Sequence, residues 1–168
     1  IPTNTAPLII GGNASGSWAS IVYIGDDKIV AVWASDPTGN GASAVGTISG
    51  NDITWGSIVI INSNVCSRFN IVKVNNNTVA VSYKNNDDNT INMCAATING
   101  TTISWGTTIS ATEGMVLSYY FNDLLYVGNN TVVMCWYAYY NGQVGRMIAA
   151  TISGNTITAS DTSYSAGV

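Results

Sequence analysis

From Ala19 onward the chain runs in short apolar or alternating stretches cut by clusters of Gly, Asn and Asp. Ala19–Ile24 ends at Gly25-Asp26-Asp27. Lys28–Ala34 ends at Asp36-Pro37-Thr38-Gly39-Asn40-Gly41. Ala42–Ile48 ends at Ser49-Gly50-Asn51-Asp52, and Ile53–Ile61 follows. Stretches of this length, rich in Val, Ile, Thr, Trp and Tyr and bounded in this way, predict strands joined by tight hairpin turns. The Gly-Asn and Gly-Asp pairs supply the positive φ angles that such turns require. No window carries a sustained helical apolar period with capping residues. The pattern therefore predicts an all-β chain of about 12 to 13 strands.

The pattern then repeats, and internal repeats decide architecture. VGTISGNDITWGSIVII at Val45–Ile61 returns as AATINGTTISWGTTIS at Ala95–Ser110, and in weakened form as AATISGNTITASDTS at Ala149–Ser163. The first two copies align without gaps at an offset of 50, pairing Trp55 with Trp105; the third needs 53, then 54. It places Trp136 with Tyr83 and Trp33, but has Ala159 in place of the second Trp. The repeats fall at about 17–66, 67–116 and 117–168 of one domain spanning 1–168. Residues 1–16 form an extra strand equivalent to the last strand of a repeat. Each repeat predicts a four-stranded antiparallel meander. Stacked meanders give a propeller-like fold, for which blades near 50 residues are usual. Three blades are too few to close a ring, so two chains forming six blades, or a longer array, is expected. A β-trefoil is the alternative. It too has three four-stranded repeats and closes within one chain.

Composition changes the picture mainly by exclusion. Charged residues make up 8% of the chain, against about 25% in typical soluble domains. Asn, Ser, Thr and Gly supply the polarity instead, which suits an extracellular or virion surface. A net charge of −4 with five Lys and Arg in total leaves no basic patch for nucleic acid or for docking on anionic lipid. No apolar run is long enough for a transmembrane helix. A start at Ile1 with no signal-like segment fits a processed chain or one module of a longer protein. Cys66, Cys94 and Cys135 occupy different repeat positions, so they read as small apolar residues and not as a repeated staple or metal site. Four Asn-x-Ser/Thr sequons occur, at Asn13, Asn76, Asn99 and Asn129. In a chain this rich in Asn, Ser and Thr they carry no weight as glycosylation sites.

Catalytic chemistry finds few residues to work with. The absence of His removes Ser-His-Asp and Cys-His catalysis and most zinc sites. No metal site, cofactor or catalytic residue is expected. Paired carboxylates for glycoside hydrolysis form the weakest alternative. Most Asp residues sit in Gly/Asn-flanked turns, where Asp serves turn geometry. Glu113, in the irregular segment 111–118, and Asp123, inside a strand where burial would demand a partner, stand apart. The Asn85–Asn89 loop, NNDDN, offers oxygen ligands but reads as a solvated turn. Aromatic residues give a binding hint. Trp18, Tyr119, Tyr120, Tyr137, Tyr139 and Tyr140, with Gln143, are the candidate ligand-binding residues. Exposed rings beside amide side chains stack on and orient neutral sugars. The same rings also serve as packing between blades or as an assembly surface.

The GTISGNDITWG and ATINGTTISWGT motifs, about 50 residues apart with an apolar Ala-Val-Trp/Tyr run between them, resemble tandem repeats of phage tail-fibre and other virion appendage proteins. The resemblance covers nearly the whole chain. It implies a propeller-like module on a virus particle or extracellular fibre, concerned with attachment, with no catalytic residues to carry over. The hairpin is also similar to the turn of sialidase propellers, but lacks their Ser-x-Asp-x-Gly pattern. The expected function is therefore a non-enzymatic structural or attachment module. Its partners would be further copies of itself or other fibre and virion subunits. A lectin-like domain for cell-surface glycans is the alternative.

Overall fold

The computed structural model describes residues 18–35, 37–111, 122–138, 144–160 and 164–166, and these are all-β, with no helix among them. The strands are β1 (Ala19–Gly25), β2 (Lys28–Ala34), β3 (Asn40–Ser49), β4 (Asp52–Trp55), β5 (Val59–Asn75), β6 (Thr78–Asn85) and β7 (Thr90–Asn99). They continue as β8 (Thr102–Trp105), β9 (Ile109–Ser110), β10 (Asn122–Gly128), β11 (Thr131–Ala138), β12 (Val144–Ser153), β13 (Thr156–Ala159) and β14 (Tyr164–Ala166). Two antiparallel sheets result, one of β1–β9 and one of β10–β14, and neither closes into a barrel.

The same pairing scheme occurs three times. β1-β2-β3, β6-β7 with the second half of β5, and β10-β11-β12 are antiparallel runs of three. Corresponding pairs are in the same register: Lys28 opposite Thr47, Thr78 opposite Thr97, and Thr131 opposite Thr151. The third long strand of each run carries two short partners on its free edge. These are β4 and the start of β5 on β3, β8 and β9 on β7, and β13 and β14 on β12. The apolar run Ile53–Ile61 reads as one strand in sequence. It is two, because the chain steps out at Trp55-Gly56, where the Gly56 N–H donates to the Val45 carbonyl at 2.8 Å. Gly106 and Ser160 repeat that bond, to Ala95 and Ala149.

Local chemistry explains the turns. Asp26-Asp27 and Asn129-Asn130 have both central residues at φ near +50°, the geometry of type I′ hairpins, which Asn and Asp tolerate. Gly50, Gly100 and Gly154 stand first in their turns at φ +61°, +61° and +60°, the position where type II′ turns select glycine. β5 passes from the first meander into the second through a bulge between Ser67 and Asn70, with Arg68 at φ +57°. Such a bulge re-aims a strand.

Candidate functional site

Every meander has two faces, and alternation along the strands decides which residues share one. The back of the first meander presents Val22, Val30, Val32, Val45, Val59 and Ile61. The front of the second presents Phe69, Ile71, Val79, Val81, Tyr83 and Trp105. All belong to one core cluster. The back of the second (Val72, Ala80, Met93, Ala95) and the front of the third (Leu124, Val132, Met134, Trp136, Ile148, Ala159) form the next. The order is back against front both times.

Among the described residues each of these interfaces is crossed by buried or half-buried polar contacts. In the first, the Trp105 indole N–H donates to Ser43 Oγ at 2.9 Å, and the Ser43 hydroxyl donates to the Val59 carbonyl at 3.0 Å. In the second, Asn122 Nδ2 donates to Ser82 Oγ at 2.8 Å, and Asn70 Nδ2 donates to the Asn122 carbonyl at 2.6 Å. Asn122 Oδ1 finds no partner among the described residues. Tyr83 is fully buried; its hydroxyl takes the Asn62 amide at 3.0 Å and lies 3.3 Å from Thr108 Oγ1. Burial pushes the Tyr83 phenol up to about 12.

A seat for a hairpin turn accompanies each interface. A Cβ on Gly56 would stand 2.6 Å from the Thr101 carbonyl oxygen, and one on Gly106 would overlap that of Asn155. Thr101 and Asn155 hold the same place in the type II′ turns of the second and third meanders. Glycine is required at 56 and 106 because the next meander's turn rests directly on the backbone there. In the third meander the equivalent residue is Ser160. Beside it lies an open cleft of about 190 Å³ lined by Thr131, Ala149, Thr151, Thr158 and Ala159 among others.

Both outward faces carry exposed apolar side chains. On the front of the first, Ala31, Trp33, Ala42 and Ala44 are buried with Trp55 against them. Exposed Ile21, Tyr23, Ile53, Ile58 and Ile60 lie on the same face. The back of the third exposes Leu125, Val127 and Met147.

Of the candidate ligand-binding residues, Trp18 is exposed at the start of β1, with the Arg68 guanidinium 5.0 Å over its ring. Tyr137 lies in β11, but its side chain is outside the described residues, as are Tyr119, Tyr120, Tyr139, Tyr140 and Gln143. Trp136, from the same aromatic run, is core. Glu113 also lies outside the described residues. Asp123 is exposed, not buried, and its carboxylate accepts from the Leu124 N–H at 2.9 Å, so its strand position needs no buried partner. In the NNDDN loop the carboxylates serve the turn: Asp88 takes the Asn85 amide at 2.8 Å and the Thr90 N–H at 3.0 Å, and Asp87 takes the Val65 N–H at 3.2 Å. No cluster of His, Cys, Asp and Glu fit for a metal occurs among the described residues. Cys66 and Cys94 are buried free thiols, each held up to about 12 by desolvation. Cys135 is exposed, unlike the other two, because it points to the outward face of β11.

Sequence reasoning does not single out Ser43, Ser82 or Asn122, and it marks the place of the cleft only by the loss of Trp at Ala159. Trp-Gly occurs twice and becomes Ala159-Ser160 the third time. Searches against protein-family models, curated proteins and solved structures find no match for this chain.

Proposed function

We propose that this chain is a non-enzymatic structural module of a virion appendage or extracellular fibre. It acts through protein–protein assembly and recognition at a surface, and its three meanders are successive blades of a propeller-like array. The observation that carries this reading is the state of one repeated isoleucine. Ile103 and Ile157 are 3% and 5% exposed inside the two interfaces, whereas their equivalent Ile53, on an outward face, is 37% exposed. Large exposed apolar surface of this kind marks an interaction site. Back-to-front stacking in the same order twice is the relation of neighbouring propeller blades. In a β-trefoil the three repeats would satisfy one another. Six blades from two chains would fall within the usual range of about 4–8.

The test is the mass of the purified chain in solution by sedimentation over a wide concentration range. Association through the outward faces gives a mass that rises above one chain with concentration. A single-chain mass throughout, with no change when detergent is added to cover apolar surface, removes the assembly reading.

A further inference from the structure

The outward faces are not two unrelated patches. By register, Leu125 on the back of the third meander is the equivalent of Val22 and Val72. Both of those pack into the inter-meander cores. Met147 is the equivalent of Ser43 and Met93, each fully buried. On the front of the first meander, Ile21 is the equivalent of Ile71 and Leu124, which are 8% and 5% exposed. Yet Ile21 is 59% exposed and Leu125 63%. Ile21 and Leu125 are thus bare where their equivalents inside the chain are covered, while Ala31 and Trp33, on the same front as Ile21, are buried like theirs at 1% and 2%. One outward face is a back and the other a front. Each exposes apolar side chains at sites that the opposite kind of face covers inside the chain.

The turns lead to the same pairing. The described residues hold three type II′ turns, and two of them rest on a glycine of the preceding meander. The Thr101 turn rests on Gly56 and the Asn155 turn on Gly106. Neither Gly50 nor Asn51 stands among the nearest neighbours of any described glycine, the place that Thr101 holds at Gly56 and Asn155 at Gly106. At the corresponding place in the third meander is the cleft beside Ser160, and its volume of about 190 Å³ is several times the roughly 30 Å³ that a water molecule takes in the liquid. Among the described residues one turn and one cleft are left over.

We infer that a second copy of this chain docks head to tail. The front of its first meander lies on the back of the third meander of its neighbour, and its Gly50-Asn51 turn enters the cleft lined by Thr131, Ala149, Thr151, Thr158 and Ser160. This rests on the assembly reading above and adds the partner and the register. The contact follows the order of the two internal interfaces, with two differences. Met147 meets Trp55, two large side chains, where the internal interfaces set Ser43 against Trp105 and Met93 against Ala159. Ser160 carries a Cβ and hydroxyl where Gly56 and Gly106 have none, so the incoming turn sits higher. The contact between chains is consequently weaker than those within a chain, and reversible. A head-to-tail contact closes into a ring if the rotation allows it and otherwise extends. Either way the same two faces meet.

Two charge substitutions test the pairing. Leu125→Asp places a carboxylate on the back face and Tyr23→Asp on the front face, both at exposed strand positions, with circular dichroism confirming that each variant is folded. Head-to-tail docking predicts that each variant alone loses association, since every contact needs one face of each kind. A one-to-one mixture regains a pair, joined through the intact front of Leu125→Asp and the intact back of Tyr23→Asp. Ser160→Gly deepens the seat and is expected to tighten wild-type association roughly tenfold, the equivalent of about 1.4 kcal/mol. Wild-type association with either single variant still pairing, or with a mixture that stays monomeric, overturns the head-to-tail inference and leaves the assembly reading standing. Looser or unchanged association of Ser160→Gly overturns the turn-in-cleft contact. A wild-type chain that never associates removes both.

Discussion

The interface between the first and second meanders and that between the second and third share one backbone plan and exchange their chemistry. Ser43 meets Trp105 in the first, a small hydroxyl under a large indole. At the same two positions the second interface has Met93 and Ala159, both in its core cluster. The large side chain has moved across the gap. The polar pair has moved too. Ser82 and Asn122 hydrogen-bond in the second interface, where the first places Val32 and Phe69 in its apolar cluster. At these positions each interface has its large residue and its hydrogen-bonded pair at a different point. Cross-pairing the first back face with the third front face would set Ser43 against Ala159 and Val32 against Asn122. That arrangement leaves a void and an amide with no partner, both costly. Three similar meanders are in this way given a fixed order, a form of discrimination by mismatch.

The comparison breaks most readily at Met93. Its full burial predicts that Met93→Ala costs about 2–5 kcal/mol in urea unfolding, the usual range for removing a buried Met. Next is Gly106→Ala, which drives a methyl into the Asn155 backbone. A cost of about 3 kcal/mol is expected, the upper end for overpacking. Gly100→Ala is its control: the site is open but at φ +61°, so the cost is about 1–2 kcal/mol of backbone strain alone. Equal losses at the two glycines would show that no turn seats on Gly106.

Ser82→Val sharpens the point about the polar pair. It leaves the Asn122 amide without its acceptor, for an expected loss of about 1–3 kcal/mol. Adding Asn122→Leu makes the interface apolar at that point, like the first, and should restore most of the loss. A double variant whose loss is simply the sum of the singles would deny the coupling. At neutral pH the smallest effect comes from titration. Cys66 and Cys94 rise from 9.0, and Tyr83 from 10.0, each to about 12. The folded chain then keeps protons that the unfolded chain has already released. Stability is full below about pH 9 and falls as pH climbs towards 12. A melting temperature that stays flat from pH 9 to 11 would contradict the burial of these groups.

Much of the strand layout was legible. Lys28–Ala34 is a strand in both pattern and structure, because an unbroken apolar run between two turn clusters has few other uses. The turns were legible as well, since Gly50, Gly100 and Gly154 stand where only a positive φ closes the hairpin. The split of Ile53–Ile61 was not, because the outward step at Trp55-Gly56 is fixed by the Gly56 N–H bond to the Val45 carbonyl on the neighbouring strand, which the apolar pattern does not record. Asp123 and Cys135 were misjudged for a related reason. Period-two alternation separates two faces, but β10 and β11 are apolar on both, and the pattern does not say which one is covered.

The sequence by itself determined the all-β class, the hairpins and the presence of two apolar faces on each meander, because these depend on residue type and on spacing along a few neighbours. Only the tertiary structure decided which back meets which front, where the buried polar contacts lie, and that Ile21 and Leu125 stay exposed where their equivalents are covered. Those outcomes depend on volumes and hydrogen bonds between residues distant in the chain, such as Trp105 and Ser43, whose fit exists only once the strands are side by side.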